Sequence, residues 1–277
     1  MEESPPDRYG VVGFPVAHSR SPFIHGMFAR QTAQNIEYRL YEIPPVRFKT
    51  EVAKFFQDGG GGLNVTAPHK TAAADFALEL TPRAERAGAV NTLAMQGGRI
   101  LGDNTDGAGL VRDLLENLQI EIAGKRLLIL GAGGATRGIL APLLEFLPAE
   151  LLVANRNPAR AQDLVRLFGE PGPMRGCGFE EVPPRAFDVV INATSAGLGG
   201  GVPDILPAVI GPGTVCYDLS YSKGDTPFTR WAREHGCARA VQGWGMLVEQ
   251  AAESFLLWRG VRPQTASVLA LLESGGG

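Results

Sequence analysis

The stretch Arg126-Leu-Leu-Ile-Leu-Gly131-Ala-Gly-Gly-Ala-Thr-Arg137 decides how the second half of the chain folds. It opens with a continuous apolar run, as expected for a strand that is buried on both faces of a parallel sheet. The glycines after this run permit a tight turn into a helix. Further short apolar runs follow, with helical patterns between them, at residues 151–154, 187–191, 214–217 and 240–241. This alternation of strands and helices predicts a doubly wound parallel α/β sheet.

The glycine loop that joins this strand to its helix predicts a dinucleotide-binding site. Free backbone N–H groups at the helix start would face a pyrophosphate, and the helix dipole would favour its negative charge. Thr136 stands where the usual pattern has its third glycine. The alternative is a turn that serves chain geometry alone, but the strand before it and the helix after it favour a binding loop. The residues assigned to this loop are Gly131, Ala132, Gly133, Gly134 and Ala135.

The residues after the next strand indicate NADP rather than NAD. An NAD site usually carries Asp or Glu here to bind the ribose 2′-OH, but no acid lies between residues 151 and 160. Arg156 and Arg160 stand there instead, and a guanidinium matches a phosphate in geometry and charge. The alternative is a pair of solvated arginines at a helix start, which the helix dipole disfavours unless an anion is present.

The first half of the chain is also mixed α/β. Its apolar patterns predict strands at 9–13, 37–42 and 63–65, helices at 22–32, 46–56, 70–80 and 105–118, and a hairpin at 92–101. The glycines at 59–62 predict a turn. We place domain boundaries near Asp106 and Gly243, so that residues 1–106 and 244–277 form one domain and residues 107–243 form the other. A long helix predicted at 245–259 returns the chain to the first domain.

Composition and charge exclude several classes of protein. The chain has 277 residues, 44% hydrophobic and 20% charged, and a net charge of −3, which indicates no nucleic-acid or membrane partner. No apolar run approaches the ~18 residues of a membrane-spanning helix. The three cysteines are far apart and the four histidines lack zinc-ligand spacing, so we expect no disulfide framework and no metal. The N-terminal residues lack the features of a secretory signal, so we expect a cytoplasmic location.

Several polar clusters lie where the predicted strands end. They are Ser19-Arg-Ser21-Pro22, Asn64-Val-Thr66-Ala-Pro-His69-Lys70, Asn91-Thr92 and Gly102-Asp-Asn-Thr-Asp106-Gly107. Each has a plain structural explanation, since Ser and Asp are common helix caps and a lone lysine is usually solvated. Together they bring hydroxyls, amides, a lysine and a carboxylate into loops, and this combination suits a small acid rich in hydroxyl groups.

These clusters and the glycine loop, in this order, resemble the motifs of the shikimate dehydrogenase family over nearly the whole chain. The matching segments are 13–22, 64–70, 88–92, 102–107, 131–135, 155–156, 192–195, 217–221 and 243–247, followed by Gln250. The resemblance implies two α/β domains, the second of Rossmann type, with the active site in the cleft between them. It implies NADPH-dependent reduction of 3-dehydroshikimate to shikimate, a step of chorismate and aromatic amino-acid biosynthesis. A monomer and a homodimer both remain open.

The resemblance also assigns roles to individual residues, with Lys70 and Asp106 as the catalytic pair. The substrate carboxylate is assigned to Ser19 and Ser21, and the remaining substrate contacts to Thr66, Lys70, Asn91, Asp106, Tyr221 and Gln250. Cofactor contacts beyond the glycine loop are assigned to Asn155, Arg156, Arg160, Thr194, Leu219, Gly243 and Met246. His69 is either a second proton donor near neutral pH or an exposed neighbour of Lys70.

Three alternative functions are weighed against this one. A quinate/shikimate dehydrogenase with relaxed cofactor choice would share the motifs, but the missing acid argues against NAD. A non-catalytic ligand-binding regulator can keep the same fold, yet it needs neither Lys70 nor Asp106. A methylenetetrahydrofolate dehydrogenase has no evident use for the serine cluster or the Asn-Thr-Asp cluster.

Overall fold

The chain divides into two compact units, each built on a six-stranded sheet. The computed structural model describes residues 5–168, 172–194 and 196–275. Unit 1 comprises Met1–Leu110 and Leu247–Gly277, and unit 2 comprises Val111–Met246. Both units contain helices and strands, so the prediction of two α/β domains is confirmed. Among the described residues, no helix is long and apolar enough to cross a membrane.

Unit 1 is built on a mixed sheet. Its first elements are β1 (Asp7–Gly13), α1 (Ser21–Thr32), β2 (Ile36–Glu42), α2 (Phe48–Gln57), β3 (Gly60–Val65), α3 (Lys70–Ala74), β4 (Glu79–Leu80), α4 (Pro82–Ala87), β5 (Thr92–Gln96), β6 (Arg99–Asp103) and α5 (Asp106–Arg112). The strand order is β2-β1-β3-β5-β6-β4. β1 runs parallel to both neighbours, whereas β5 runs antiparallel to β3 and to β6. The hairpin predicted at 92–101 is therefore confirmed.

Three consecutive glycines lie inside β3, where the sequence predicted a turn. A Cβ on Gly60 would come within 2.1 Å of the Phe55 ring, and one on Gly62 within 2.3 Å of the Trp258 ring nitrogen. The strand therefore passes directly against two aromatic side chains, and only glycine leaves them room. The predicted turn is wrong for this steric reason, and only Gly59 remains outside the strand.

The helix predicted at 70–80 is much shorter in the structure. α3 ends at Ala74, and β4 pairs in parallel with Leu101–Gly102 of β6. The sequence did not predict α4, whose start is capped because Oγ1 of Thr81 accepts a hydrogen bond from the Ala84 N–H at 3.3 Å. The alanine-rich sequence favours a longer helix, but residues 79–80 pair with the edge of β6 instead.

Unit 2 is a fully parallel sheet. Its elements are β7 (Arg126–Leu130), α6 (Gly134–Glu145), β8 (Glu150–Ala154), α7 (Pro158–Phe168), β9 (Met174–Cys177), β10 (Val189–Asn192), β11 (Val215–Asp218), α8 (Pro227–Glu234) and β12 (Arg239–Gln242). The strand order β12-β11-β10-β7-β8-β9, with every neighbouring pair parallel, is that of the doubly wound dinucleotide-binding fold. The prediction made from residues 126–137 is confirmed, although β9 was not predicted.

Two helices contain the points where the chain passes between units. A single helix was predicted at 105–118, but α5 ends at Arg112 and a π-helical turn follows at Asp113–Asn117. This turn places Asp113 inside unit 2, where its carboxylate accepts a hydrogen bond from the Tyr217 hydroxyl at 2.6 Å. α9 (Trp244–Arg259) returns the chain to unit 1 as predicted, and it is followed by α10 (Ala266–Glu273), which was not predicted.

Candidate active site and cofactor site

Lys70 and Asp106 form a direct ion pair in unit 1, although they are 36 positions apart in the chain. Lys70 is the first residue of α3, and Asp106 is the first residue of α5. Nζ lies 2.5 Å from Oδ2 of Asp106, and the two side chains are only 16% and 6% exposed. The attraction between the charges is stronger in such a protected place than at a solvated surface. The structure thus brings the two assigned catalytic residues together.

Asn91 holds the carboxylate of this pair from the other side. Its Nδ2 donates to Oδ1 of Asp106 at 2.8 Å, and it also lies 3.2 Å from Oε1 of Gln250 on α9. Its Oδ1 accepts from the Thr105 N–H at 2.8 Å. Each oxygen of Asp106 therefore has its own partner, and four residues assigned to substrate binding or catalysis share one hydrogen-bonded cluster: Lys70, Asp106, Asn91 and Gln250.

The cluster continues through residues that had no predicted role. Nδ2 of Asn64 donates to Oγ of Ser254 at 2.9 Å, and Oδ1 of Asn64 accepts from the Tyr38 hydroxyl at 2.7 Å. Burial raises the pKa of Tyr38 well above its ordinary value, so this hydroxyl keeps its proton. Asn64 belongs to the segment 64–70, which ends at Lys70 and matches a family motif, so it was detectable from the sequence. Tyr38 and Ser254 carried no signal beyond lying on a predicted strand and a predicted helix.

The two serines assigned to the substrate carboxylate are neighbours at the start of α1. Ser19 Oγ donates to Ser21 Oγ at 3.1 Å and accepts from the Ser21 N–H at 3.3 Å. Ser19 thus accepts from the first N–H of α1, although the N-cap position itself is Arg20, which makes no side-chain cap bond. Thr66 lies just beyond the end of β3, where its N–H donates to the Val12 carbonyl of β1 at 2.9 Å.

His69 is buried, so the interpretation of this residue as an exposed neighbour of Lys70 is wrong. Its ring stacks on Phe48 with centroids 4.7 Å apart, and Nε2 lies 2.7 Å from the Ile43 carbonyl oxygen. A carbonyl oxygen only accepts, so Nε2 carries the proton. Burial lowers the pKa of His69, which keeps the ring neutral near pH 7. The Nε2–H group is thus committed to Ile43.

The glycine loop of unit 2 is a tight turn with an open outer side. Gly131 has φ of +106°, which residues with side chains rarely adopt, and a Cβ on Gly133 would meet nothing within 4 Å. Oγ1 of the buried Thr136 donates to the Gly131 carbonyl at 2.8 Å, so this replacement of the third glycine closes the turn. The first N–H groups of α6, beginning at Gly134 and Ala135, have no acceptor within the helix. They are suited to bind a phosphate.

The segment after β8 fits the phosphorylated ribose of NADP. Asn155 lies against the glycine loop, because its Oδ1 accepts from the Ala132 N–H at 3.2 Å. Arg156 and Arg160 are exposed. Neither guanidinium pairs with a carboxylate or hydrogen-bonds to another side chain within residues 5–168, 172–194 and 196–275. Two unpaired cations beside this loop match a phosphate rather than a bare ribose hydroxyl.

The residues assigned to the nicotinamide side follow the last three strands of unit 2. Thr194 donates from Oγ1 to Oδ1 of Asn192 at 2.7 Å. Gly243 approaches the backbone of Leu219 so closely that a Cβ would lie 2.5 Å from the Leu219 oxygen. Ser195, in the same motif as Thr194, lies outside the described residues.

Two further assigned residues of unit 2 are Met246, a predicted cofactor contact, and Tyr221, a predicted substrate contact. Met246 is buried in the first turn of α9, and its N–H donates to the Tyr217 hydroxyl at 3.3 Å. The Tyr221 ring lies against Trp244, with centroids 4.3 Å apart. The residues assigned to the cofactor thus follow the carboxyl ends of the parallel strands, where open α/β sheets bind their ligands. Within the described part of the chain, no group of His, Cys, Asp or Glu is placed to hold a metal ion.

Three parts of the chain match family models. Residues 11–93 match the shikimate dehydrogenase substrate binding domain. Residues 113–198 match the model described as shikimate / quinate 5-dehydrogenase, and residues 243–273 match the shikimate 5′-dehydrogenase C-terminal domain.

Individual relatives agree with the models. The NADP(+) shikimate dehydrogenase of Alkalilimnicola ehrlichii is 54% identical over 96% of this chain and 98% of its own length. The crystal structure of an Ael1 enzyme from Pseudomonas putida has a TM-score of 0.90 and 45% identity, covering 96% and 98% of the two chains. The shikimate 5-dehydrogenase of Thermus thermophilus, solved with NADP(H) and shikimate, has a TM-score of 0.84 and 32% identity, covering 95% and 97%. The chain therefore belongs to the shikimate dehydrogenase family of NADP-dependent oxidoreductases.

Proposed function

We propose that this protein is an NADP-dependent shikimate dehydrogenase, which catalyses the reversible reduction of 3-dehydroshikimate to shikimate. The observation that carries the proposal is the protected Lys70–Asp106 pair within a cluster of amides and hydroxyls. A protein that only senses a ligand needs no such pair. An enzyme that reduces a carbonyl needs a group that stabilises the charge developing on the carbonyl oxygen and supplies its proton, and an ammonium can do both.

The proposed chemistry assigns proton transfer to the chain and hydride transfer to the cofactor. NADPH, when bound, supplies a hydride to the carbonyl carbon of the substrate. As negative charge develops on the carbonyl oxygen, the Lys70 ammonium stabilises it and donates a proton. Asp106 holds this ammonium through Oδ2 while Asn91 holds Oδ1, so the ammonium is oriented before the substrate arrives. In the reverse direction, deprotonated Lys70 accepts the proton of the shikimate hydroxyl.

Binding is divided between the units in this proposal. In unit 1, Ser19 and Ser21 bond the substrate carboxylate, and Thr66, Asn91 and Gln250 bond its hydroxyls. In unit 2, the glycine loop binds the pyrophosphate. The remaining assigned residues of unit 2 are Asn155, Arg156 and Arg160 at the adenosine phosphate, Thr194, Leu219 and Gly243 at the nicotinamide side, Met246 as a further cofactor contact, and Tyr221 at the substrate.

The proposal is tested by following NADPH oxidation with 3-dehydroshikimate as the substrate. We expect saturable turnover, and in the reverse direction we expect shikimate to be oxidised more efficiently than quinate. Absence of turnover by a protein that still binds NADPH would contradict the proposal and favour a ligand-binding regulator. Comparable efficiency with quinate, and with NAD in place of NADP, would support the quinate/shikimate alternative.

Removal of either serine hydroxyl is expected to weaken use of shikimate. Ser19→Ala and Ser21→Ala should each lower kcat/KM by roughly 10–100-fold, because a hydrogen bond to a charged group contributes on the order of 1.5–3 kcal/mol. Ser274→Ala is the matched control, since among the described residues its hydroxyl in unit 1 bonds only the Leu271 carbonyl, at 3.0 Å. Calorimetry measures binding directly. Unchanged shikimate affinity in both variants would mean that the serines only shape the start of α1.

A further inference from the structure

A buried carboxylate lies three residues before Asp106 and is not part of the assigned active site. Asp103, the last residue of β6, accepts two hydrogen bonds from Arg83 of α4, from Nε at 2.7 Å and from the terminal nitrogen at 2.5 Å. It also accepts from the Thr81 hydroxyl at 2.6 Å. Burial opposes ionisation of this carboxyl, but the hydrogen bonds and charge of Arg83 hold the pKa of Asp103 below its ordinary value. Both groups are therefore ionised, and two parallel hydrogen bonds hold the guanidinium and the carboxylate in one orientation.

This ion pair is connected to both ends of the catalytic cluster. The Asp103 carbonyl accepts from the Asn91 N–H at 3.0 Å. The Asp103 side chain accepts from the Asn104 N–H at 2.7 Å, and the Asn104 side chain in turn accepts from the Asp106 N–H at 3.2 Å. The backbones of Asn91 and Asp106 are thus held by the residues that Arg83 anchors.

Arg83 also reaches the helix that carries Gln250. Its second terminal nitrogen lies 3.7 Å from Oε2 of Glu253, which stands three residues after Gln250 on α9. Glu253 is paired with Arg262 as well, and Arg262 lies 3.0 Å from the buried carboxylate of Glu249. One guanidinium therefore connects the segment that ends at Asp106 to the face of α9 next to Gln250.

We propose that Arg83 is a positioning residue for the reaction: through Asp103 and Glu253 it holds Asn91, Asp106 and Gln250 in their working arrangement. This inference rests on the proposed function. A buried ion pair is weak evidence for stability, because the loss of hydration largely offsets the attraction. The two hydrogen bonds of the planar Arg83 guanidinium fix the orientation of the Asp103 carboxylate. A lysine cannot reproduce this geometry. A small displacement of a reacting group slows a reaction strongly. The effect of this ion pair on the enzyme is therefore the accurate placement of the reacting groups.

The test compares Arg83→Lys with the wild type. We expect kcat to fall by about 10- to 100-fold, as for a displacement of about 1 Å, while KM for NADP stays unchanged because the cofactor residues lie in unit 2. We also expect faster hydrogen exchange at the Asn91 and Asp106 amides, since local opening of their segment becomes easier. In Arg83→Ala, added methylguanidinium should restore part of kcat in a saturable manner, and methylammonium should not.

Arg99→Lys is the matched control, because Arg99 forms an exposed ion pair with Glu79 at 2.6 Å in the same sheet. It should leave both kcat and the exchange of the two amides unchanged. Wild-type kcat, or wild-type exchange at these amides, in folded Arg83→Lys would overturn the inference. An inactive wild-type protein would instead contradict the proposed function, and the exchange measurement alone would then decide whether Arg83 holds these segments.

Discussion

Replacement of Lys70 by alanine is expected to lower kcat by about 10²–10⁴-fold, the range typical of losing a positioned acid or base. KM for shikimate should change much less, because the carboxylate and hydroxyl contacts of the substrate remain. Asp106 is left buried without its cation in this variant, which destabilises the fold. Steady-state rates should therefore be expressed per folded enzyme, counted by titration of bound NADPH.

The double variant Lys70→Ala/Asp106→Ala distinguishes a shared role from two separate ones. Residues that act as one unit are strongly non-additive, so we expect the double variant to be about as slow as Lys70→Ala alone. Lys54→Ala is the control, since that lysine forms an exposed pair with Asp58 at 3.5 Å. A near-normal kcat in Lys70→Ala would remove the proposed role of this residue.

The double variant Arg156→Ala/Arg160→Ala is expected to lose most of the preference for NADP. One charge-assisted contact contributes about 1.5–3 kcal/mol, or roughly ten- to a hundredfold. Two arginines on one phosphate are less than additive, so we expect kcat/KM for NADP to fall by roughly 10²–10³-fold. The value for NAD should hardly change, because NAD lacks the 2′-phosphate. Steady-state titration of each cofactor at saturating shikimate measures both effects.

Arg166→Ala is the matched control for this prediction. Arg166 lies on the same helix, α7, but it is paired with Asp163. Its loss should not alter cofactor preference. Asn155→Asp should move preference towards NAD, because the new carboxylate repels the phosphate and offers the ribose an acceptor. Equal efficiency with NADP and NAD in the unmutated enzyme would show that Arg156 and Arg160 are merely solvated.

The architecture of unit 2 was predictable because its central strands are buried on both faces. In Arg126–Leu130 every residue after the arginine is apolar, so strand identity and parallel pairing follow from one local pattern. In unit 1 the deciding contacts are long-range. Gly62, for example, lies in a strand that passes against Trp258 of α9, and no local pattern contains that ring.

The active site was predictable in its residues but not in its connections. The motifs identified Lys70 and Asp106, and the structure supplies the ion pair between them. The contacts that hold this pair come from other segments of the chain, and one of these contributes Arg83, for which no role was predicted. His69 could not be interpreted from its neighbour, because its burial depends on Phe48 and Ile43.

The glycine tract of β3 has a consequence for how the length of this chain can vary. A run of four glycines resembles a surface loop, and loops generally tolerate insertions and deletions. Here three of the four belong to a strand. Its register against β1 already shifts by one residue within the tract, since Arg8 lies opposite Gly60 and Tyr9 opposite Gly62. Beyond the tract the register against β5 is regular, with Gly62 opposite Ala94 and Asn64 opposite Thr92. A shift of one residue there would turn every following side chain to the other face of the sheet. Asn64 would then leave Ser254 and Tyr38, so gaining or losing one residue between Gly62 and Asn64 would disrupt the active site without altering any of its residues.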